Sequence, residues 1–132
     1  DKGSIILCRT SNPGAPEFQD LNVKHPMLDK ETPLWQIVAE KVSHEWNKNK
    51  NCMLVVGATY PEEMKKIRSL VGDLTFLVPG IGAQGGDLQA IMKAGLNSEG
   101  LGLIINSARG IIFAENPKEE AKKLFEEIRE FK

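Results

Sequence analysis

The sequence predicts an α/β fold built on a parallel β-sheet. Four short runs are almost continuously apolar, as is typical of parallel strands that are buried on both faces. The runs lie at residues 4–8, 52–58, 74–78 and 101–105. Helical patterns follow them, so the predicted order is β-α-β-α-β-α-β-α. Four such units could form a small open sheet or half of an eight-unit barrel, and periodicity does not choose between these alternatives.

The predicted helices are defined by apolar spacing and by the residues at their ends. The first covers residues 34–46, where apolar side chains recur at the i, i+3, i+4 spacing of an amphipathic helix. The second begins at Pro61, and the third ends near Gly95. The last begins with Asn116 as a capping residue and Pro117 in the first turn.

Composition limits the function classes. The chain has 132 residues, which predicts a single domain, and a net charge of −1, which argues against nucleic-acid and membrane partners. No apolar run approaches the ~20 residues that a transmembrane helix needs. Cys8 and Cys52 lack CxxC spacing and are expected to be buried free thiols of a cytoplasmic protein. The abrupt start, without a signal peptide, suggests a piece of a longer protein.

The carboxyl ends of the strands are where a ligand is expected in either architecture. Thr10, Ser11 and Asn12 follow the first strand, where they could form a turn or hydrogen-bond a polar ligand. Thr59 follows the second strand and is expected to cap the next helix rather than to contact a ligand. The first of these loops is therefore the better candidate for binding.

The loops after the third and fourth strands suggest a phosphate site. The stretch 77–86 (LVPGIGAQGG) holds four glycines, and Gln84 is its only hydrogen-bonding side chain. Such a stretch is either a loose turn or a loop whose N–H groups touch an anion. Arg109 follows the fourth strand, and its planar guanidinium suits a phosphate. In the second half of a barrel these loops would follow strands seven and eight, the usual phosphate site of that fold.

Other kinds of site find little support in the sequence. His44 is expected at the surface of the first helix, and neither it nor His25 has a nucleophile nearby in a strand-end loop. No His, Asp or Glu cluster has metal-ligand spacing. The glycine-rich stretch also lacks the spacing of a dinucleotide fingerprint. The residues themselves therefore suggest neither a metal site nor a dinucleotide site.

Taken together, the strand ends resemble one family. LCRTSNPG, LVVGAT, FLVPGIGAQGGD and GLIINSARGIIFA are similar, in this order, to the C-terminal half of orotidine 5′-monophosphate decarboxylase, in the branch that carries TSNPG and PGIGAQGG. The resemblance covers residues 5–114. It implies a (β/α)8 TIM barrel, with this chain (1–132) as about the last four βα units. It also implies a lyase of pyrimidine (UMP) biosynthesis that acts as a cytoplasmic homodimer without metal or cofactor.

The resemblance also implies roles for individual residues. Ser11 matches the serine that reads the pyrimidine ring, Gln84 the loop glutamine that spans base and phosphate, and Arg109 the phosphate-binding arginine. The glycine-rich loop would close over the nucleotide, with Gln84 fixing the closed form. The other implied contacts are a pocket wall at Pro79 and Ile81, the backbone at Ala108, and the side chains of Thr10 and Asn106.

The family's catalytic run, Asp-x-Lys-x-x-Asp, does not occur in this sequence. Residues 20–24 read DLNVK, with the wrong spacing, and residues 29–31 also fail. No catalytic residue is therefore predicted in this chain, and the expected partners are the N-terminal half of the enzyme and a second subunit. A half-barrel alone would expose two strand edges and an apolar inner face.

Two other functions remain open from the sequence. One is a non-catalytic half-barrel that binds a nucleotide phosphate or serves as an interaction fragment. The other is a different phosphate-binding barrel enzyme, such as a sugar-phosphate aldolase or epimerase. The latter would share the glycine-rich loop and the arginine, but it gives no reason for TSNPG and Gln84 together.

Overall fold

A computed structural model describes residues 2–24, 30–82 and 86–131 of the chain. Its main sheet is parallel and consists of β1 (Ser4–Arg9), β4 (Cys52–Val56), β5 (Phe76–Pro79) and β6 (Leu103–Asn106), in that spatial order. A small antiparallel pair, β2 (Asn22–Val23) and β3 (Thr32–Pro33), lies in the loop after β1. The four predicted strands are confirmed, with ends that differ from the predictions by at most two residues.

The helices connect the strands as predicted. The longer ones are α2 (Leu34–Lys41), α3 (Pro61–Val71), α4 (Leu88–Gly95) and α6 (Pro117–Arg129), and a π-helical turn, Val42–Trp46, continues α2. Two four-residue helices, α1 (Pro16–Gln19) and α5 (Arg109–Ile112), lie in loops and were not predicted. The predicted cap is confirmed, because the Asn116 side chain accepts a hydrogen bond from the Glu119 N–H at 3.3 Å.

The hydrophobic core lies between one face of the sheet and the helices. On that face Leu54, Val56, Phe76 and Val78 are 0% exposed, and they belong to one cluster with apolar residues of the helices. Burial of this face supplies the main stabilisation of the sheet, at about 25 cal/mol for each Å² removed from water.

The opposite face of the sheet is partly open. Leu7 is 66% exposed, and Ile5 and Ile104 are 44% and 45% exposed. The register places Leu7 beside Val55, and Leu77 beside Ile104, so these side chains share one face. The prediction that the strands are buried on both faces is therefore wrong for the described residues, because their helices cover one face only. The predicted exposure of an apolar face and of the edge strands β1 and β6 is confirmed.

The amino-terminal ends of β5 and β6 are held together by Arg68 of α3. Its guanidinium donates five hydrogen bonds, all to backbone carbonyl oxygens, and stacks on Phe76 with 3.8 Å between the guanidinium carbon and the ring centre. The carbonyls are those of Gly72, Leu74, Gly95 and Gly102. Burial lowers the pKa of Arg68 to about 10, and the charge of Asp73 opposes this shift. Arg68 therefore remains charged at neutral pH.

Both cysteines are free, as predicted. Cys8 is buried, and burial raises the pKa of its thiol to about 12. Cys52 is only partly buried, because it begins β4 at the rim of the core. His44 is exposed, as predicted, whereas His25 lies outside the described residues. None of the helices in the described ranges is both long enough and apolar enough to cross a bilayer.

Candidate functional site

Loops from all four strands of the main sheet meet around one cavity at their carboxyl ends. The cavity has a volume of about 440 Å³. It is lined by Ser11, Asn12, Pro13, Thr59, Pro79 and Arg109. Parallel strands place their carboxyl ends at the same edge, and this explains why residues far apart in sequence meet here. Three of the predicted contacts, Ser11, Pro79 and Arg109, are thus brought together.

Gly57 allows the first two loops to approach each other closely. Its N–H donates to the Arg9 carbonyl at 2.7 Å, and the next N–H, of Ala58, donates to the Pro79 carbonyl at 2.9 Å. A methyl group on Gly57 would overlap the Ser11 hydroxyl. Glycine is therefore required for Ser11 to lie against the end of β4.

Two hydroxyl groups at the cavity are buried and unpaired. Ser11 Oγ and Thr59 Oγ1 have no hydrogen-bond partner among the described residues. Leaving a buried hydroxyl unpaired costs about 1–3 kcal/mol, so such groups are expected to be satisfied by a ligand or by water. Both residues also line the cavity. Rotation of either side chain about its Cα–Cβ bond would turn the hydroxyl towards a polar molecule there.

The prediction that Thr59 caps the following helix is wrong. Tyr60 is the N-cap residue of α3, and no side chain makes a capping hydrogen bond there. Pro61 occupies the first turn, where its lack of an N–H removes one group that a cap would satisfy. The sequence signal that could have identified Thr59 as a site residue is its position after a strand. The loops that follow neighbouring parallel strands, here those of Thr59 and Ser11, lie at the same edge of the sheet.

Thr10 is engaged within its own loop. Its N–H donates to Gln19 Oε1 at 3.0 Å, and its hydroxyl accepts from Gln19 Nε2 at 2.8 Å. The same hydroxyl donates to Asn12 Oδ1 at 2.7 Å. Thr10 does not line the cavity, and these bonds instead shape the loop that carries Ser11.

The loop after β6 places Arg109 at the cavity and leaves two predicted neighbours outside its wall. Arg109 is exposed and is the first residue of α5. Ala108 is the N-cap residue of α5, and its carbonyl accepts from the N–H groups of Ile111 and Ile112 at 3.1 and 2.9 Å. Asn106 is exposed at the end of β6, paired with Pro79.

The described ends of the glycine-rich loop are packed at Ile81 and Gly86, whereas Gly82 is exposed. Gly80 and Gly82 take φ values of 105° and 73°, which side-chain-bearing residues rarely adopt. Ile81 is 6% exposed and forms a bridge with Gly86, but it does not line the 440 Å³ cavity. The predicted contact at Gln84 falls on residues 83–85, outside the described part of the chain.

A second cavity, of about 410 Å³, lies beside the same loop. Asp87, Glu127 and Glu130 contribute to its lining, so it presents carboxylates rather than a cation. That charge is unsuited to an anionic ligand. Among the described residues there is also no group of three or more His, Cys, Asp or Glu placed to hold a metal ion. The cavity with Arg109 is therefore the better candidate for an anionic, polar ligand.

Comparison with known proteins gives consistent results. The model of the Orotidine 5′-phosphate decarboxylase / HUMPS family matches residues 1–124. The orotidine 5′-phosphate decarboxylase of Cellvibrio japonicus is 53% identical to this chain over 116 residues, which are 88% of this chain and 40% of that protein. The chain thus spans about 40% of the length of such curated relatives and corresponds to their C-terminal portion.

Two solved structures from Leishmania donovani are also similar to the chain. Its OMP decarboxylase matches 99% of this chain and 48% of its own, with a TM-score of 0.87 and 41% identity. Its UMP synthase matches 99% of this chain and 28% of its own, with a TM-score of 0.90 and 45% identity. Because these neighbours are TIM barrels, the four-stranded sheet is part of a (β/α)8 barrel rather than a small open sheet. The chain therefore belongs to the Orotidine 5′-phosphate decarboxylase / HUMPS family.

Proposed function

We propose that the protein decarboxylates orotidine 5′-monophosphate to uridine 5′-monophosphate and that this chain supplies the part that binds phosphate and base. The observation that carries the proposal is the cavity where Ser11, Thr59, Pro79 and Arg109 meet. It combines one cation, two unpaired hydroxyls and an apolar wall. A nucleotide needs these three features, for its phosphate, its polar ring edge and its ring face.

The role proposed for each residue is the one that the family resemblance implies and that its side chain can perform. Arg109 binds the phosphate, since its fork makes charge-assisted hydrogen bonds to phosphate oxygens. Ser11 hydrogen-bonds the pyrimidine ring, and Pro79 packs against it. Gln84 closes over base and phosphate from the glycine-rich loop. Ile81, Ala108, Thr10 and Asn106 act from outside the cavity wall, by supporting the loops or by contacts that form on closure.

The chemical step requires groups that this cavity does not contain. Decarboxylation leaves a carbanion that must receive a proton, and we assign the guanidinium fork of Arg109 to holding the phosphate rather than to this step. The other lining residues are Ser, Asn, Thr and Pro. We therefore assign the proton donor and the catalytic carboxylates to the N-terminal half and to a second subunit, without metal or cofactor. The phosphate contacts then supply binding energy that assembles the site.

The open face of the sheet supports the same arrangement. Leu7 and Ile104 expose apolar surface on the face opposite the helices, and β1 and β6 end the sheet. In a closed barrel both features are covered by further strands, which pair with the edges and fill the interior. The strands of the N-terminal half are the proposed cover, in a cytoplasmic homodimer.

The decisive test is a titration of the full-length protein with uridine 5′-monophosphate, with decarboxylation of orotidine 5′-monophosphate followed in parallel. Loss of a hydrogen-bonded charge costs about 1.5–3 kcal/mol, so Arg109→Ala is expected to raise Kd by roughly 10- to 100-fold. Arg129→Ala, at an exposed position of α6, removes the same charge away from the cavity and should leave Kd unchanged.

The other outcomes separate the competing functions. Binding that Arg109→Ala weakens, without turnover by the full-length protein, would favour a nucleotide-binding module that is not a decarboxylase. Equal binding by both variants and the wild type would mean that the phosphate lies elsewhere.

A further inference from the structure

Arg9 is the only charged side chain of the described residues that is almost completely buried, at 2% exposure. It is the last residue of β1, directly before the loop that carries Ser11. Arg9 does not line the cavity. Burial of an arginine is costly unless its charge is compensated, so its surroundings must explain why it is there.

An irregularity in β1 determines where the Arg9 side chain points. Leu7 pairs with Val55, but Arg9 pairs with Val56, so the register shifts by one residue between them. Simple alternation would place Arg9 on the open face together with Leu7. Because of the shift, the Arg9 side chain lies instead on the same face as Val56, which the helices cover. Bulges of this kind commonly re-aim a side chain beside a functional site.

On this side Arg9 contacts two segments that are far apart in sequence. Its Nη1 lies 2.8 Å from Oδ1 of Asp20, which follows α1. Its Nη2 lies 3.7 Å from Oε1 of Glu63, in the first turn of α3. The guanidinium carbon also lies 4.2 Å from the ring centre of Tyr60. One side chain thus connects the loop after β1 to the start of α3.

The connected segments are the ones that present the two unpaired hydroxyls. Ser11 lies two residues after Arg9, and Thr59 lies directly before Tyr60. Gln19, next to Asp20, holds the Thr10 backbone and hydroxyl, so the ion pair with Asp20 secures the same loop from its far end. We propose that Arg9 is a positioning residue that fixes Ser11 and Thr59 in the geometry that binds the nucleotide. This inference rests on the proposed function.

The contacts of Arg9 depend on its planar fork. Two carboxylates from different segments and one aromatic ring meet a single guanidinium, a set that the compact ammonium of lysine cannot reproduce. Within the described residues Arg9 Nε and Nη1 make no hydrogen bond of good geometry. Arg9 is therefore held by ion pairs, one hydrogen bond to Asp20 and ring stacking rather than by a full set of hydrogen bonds.

The test compares variants of the full-length protein by the Kd of uridine 5′-monophosphate, measured well below the melting temperature, and by the melting temperature itself. Arg9→Met should raise Kd about tenfold or more, because displaced Ser11 and Thr59 lose their hydrogen bonds to the nucleotide. Arg9→Lys should recover part of the affinity. Arg68→Met, at the other end of the sheet, is the matched control, with reduced stability and unchanged Kd.

A second comparison distinguishes positioning from a general loss of structure. If Arg9 acts through Ser11, then Arg9→Met should raise Kd much less in a Ser11→Ala background than in the wild type. If the effects of the two substitutions on the binding free energy are fully additive, Arg9 does not act through Ser11.

The remaining outcomes are also decisive. Unchanged Kd in Arg9→Met, with a lower melting temperature, would overturn the proposal and leave Arg9 with a structural role. If Arg9→Met does not fold, Asp20→Asn replaces it, since Asp20 is 44% exposed and its change leaves the core intact. A raised Kd then supports the proposal, and an unchanged Kd overturns it. A wild type that fails to bind the nucleotide refutes the proposed function, and the inference falls with it.

Discussion

The two ends of the sheet each contain an arginine stacked on an aromatic ring, and the two arginines are held differently. At the amino-terminal ends Arg68 donates only to backbone carbonyls and stacks on Phe76. At the carboxyl ends Arg9 lies near two carboxylates and stacks on Tyr60. Backbone carbonyls are fixed by the fold, whereas the two carboxylates are side chains, one at the end of α1 and one in the first turn of α3.

The difference shows how the fold separates stability from binding. In barrels of this type the amino-terminal face serves stability, and the carboxyl face carries the ligand site. Arg68 joins the segments that lead into β5 and β6 through its hydrogen bonds to the Leu74 and Gly102 carbonyls. Arg9 acts on the loops themselves. Loss of Arg68 should therefore lower stability, whereas loss of Arg9 should weaken nucleotide binding.

The largest expected effect is the loss of stability in Arg68→Met. Removal of the guanidinium takes the donor from the part-buried carbonyls of Leu74 and Gly95, and each buried carbonyl left without a partner costs about 1–3 kcal/mol. We expect the free energy of unfolding to fall by about 3 kcal/mol in a urea titration of the full-length protein. If the free energy of unfolding falls by well below about 1 kcal/mol, water replaces these hydrogen bonds. Arg68 would then not serve stability in the way that distinguishes it from Arg9.

Substitution of two glycines should have smaller effects, each on one property. Gly57 lies at the carboxyl ends of the strands, and Gly95 lies at their amino ends. In Gly57→Ala the new methyl group overlaps Ser11, so the loop must move and nucleotide affinity should fall by roughly tenfold through loss of the Ser11 hydrogen bond. In Gly95→Ala the methyl group meets Met64 Sδ at 2.6 Å, the flexible part of a core side chain. That change should cost about 1–3 kcal/mol of stability and leave affinity unaltered.

Parallel measurement of Kd and unfolding on both glycine variants decides whether the ends are independent. Equal loss of nucleotide affinity in Gly95→Ala would show that strain at the amino ends reaches the site. In that case the sheet could not be treated as a rigid base for the loops.

The smallest effect concerns Asp73, in the turn after α3. The N–H and hydroxyl of Ser98 donate to its Oδ1 at 3.0 and 2.9 Å, and these bonds, led by the backbone one, lower the pKa of Asp73 from its ordinary value of 3.8. A lowered folded-state pKa means that the stabilisation is present above 3.8 and is lost as the pH falls through the folded-state value. Asp73→Asn should therefore lower the melting temperature slightly at pH 7. A difference from the wild type that persists unchanged at pH 2 would contradict this origin.

Local patterns in the sequence were sufficient for most of the architecture. The strands and longer helices follow from apolar periodicity, and the start of α6 follows from Asn116 and Pro117, because these signals act between near neighbours in the chain. The place of Ser11, Pro79 and Arg109 at one cavity also followed, since strand order in a parallel sheet brings strand ends together. The short helices α1 and α5 lack such periodicity and were missed.

The sequence by itself determined which loops surround the site, and only the tertiary structure decided how these loops are held. The shift in β1 that turns Arg9 towards the helices has no local sequence signal. The contact of Arg9 with Glu63, the fit of Ser11 against Gly57 and the unpaired Thr59 hydroxyl likewise depend on packing. The Arg9–Glu63 and Ser11–Gly57 contacts join residues tens of positions apart, so their geometry arises only when the strands are in register. The surroundings of the Thr59 hydroxyl are fixed by the same packing.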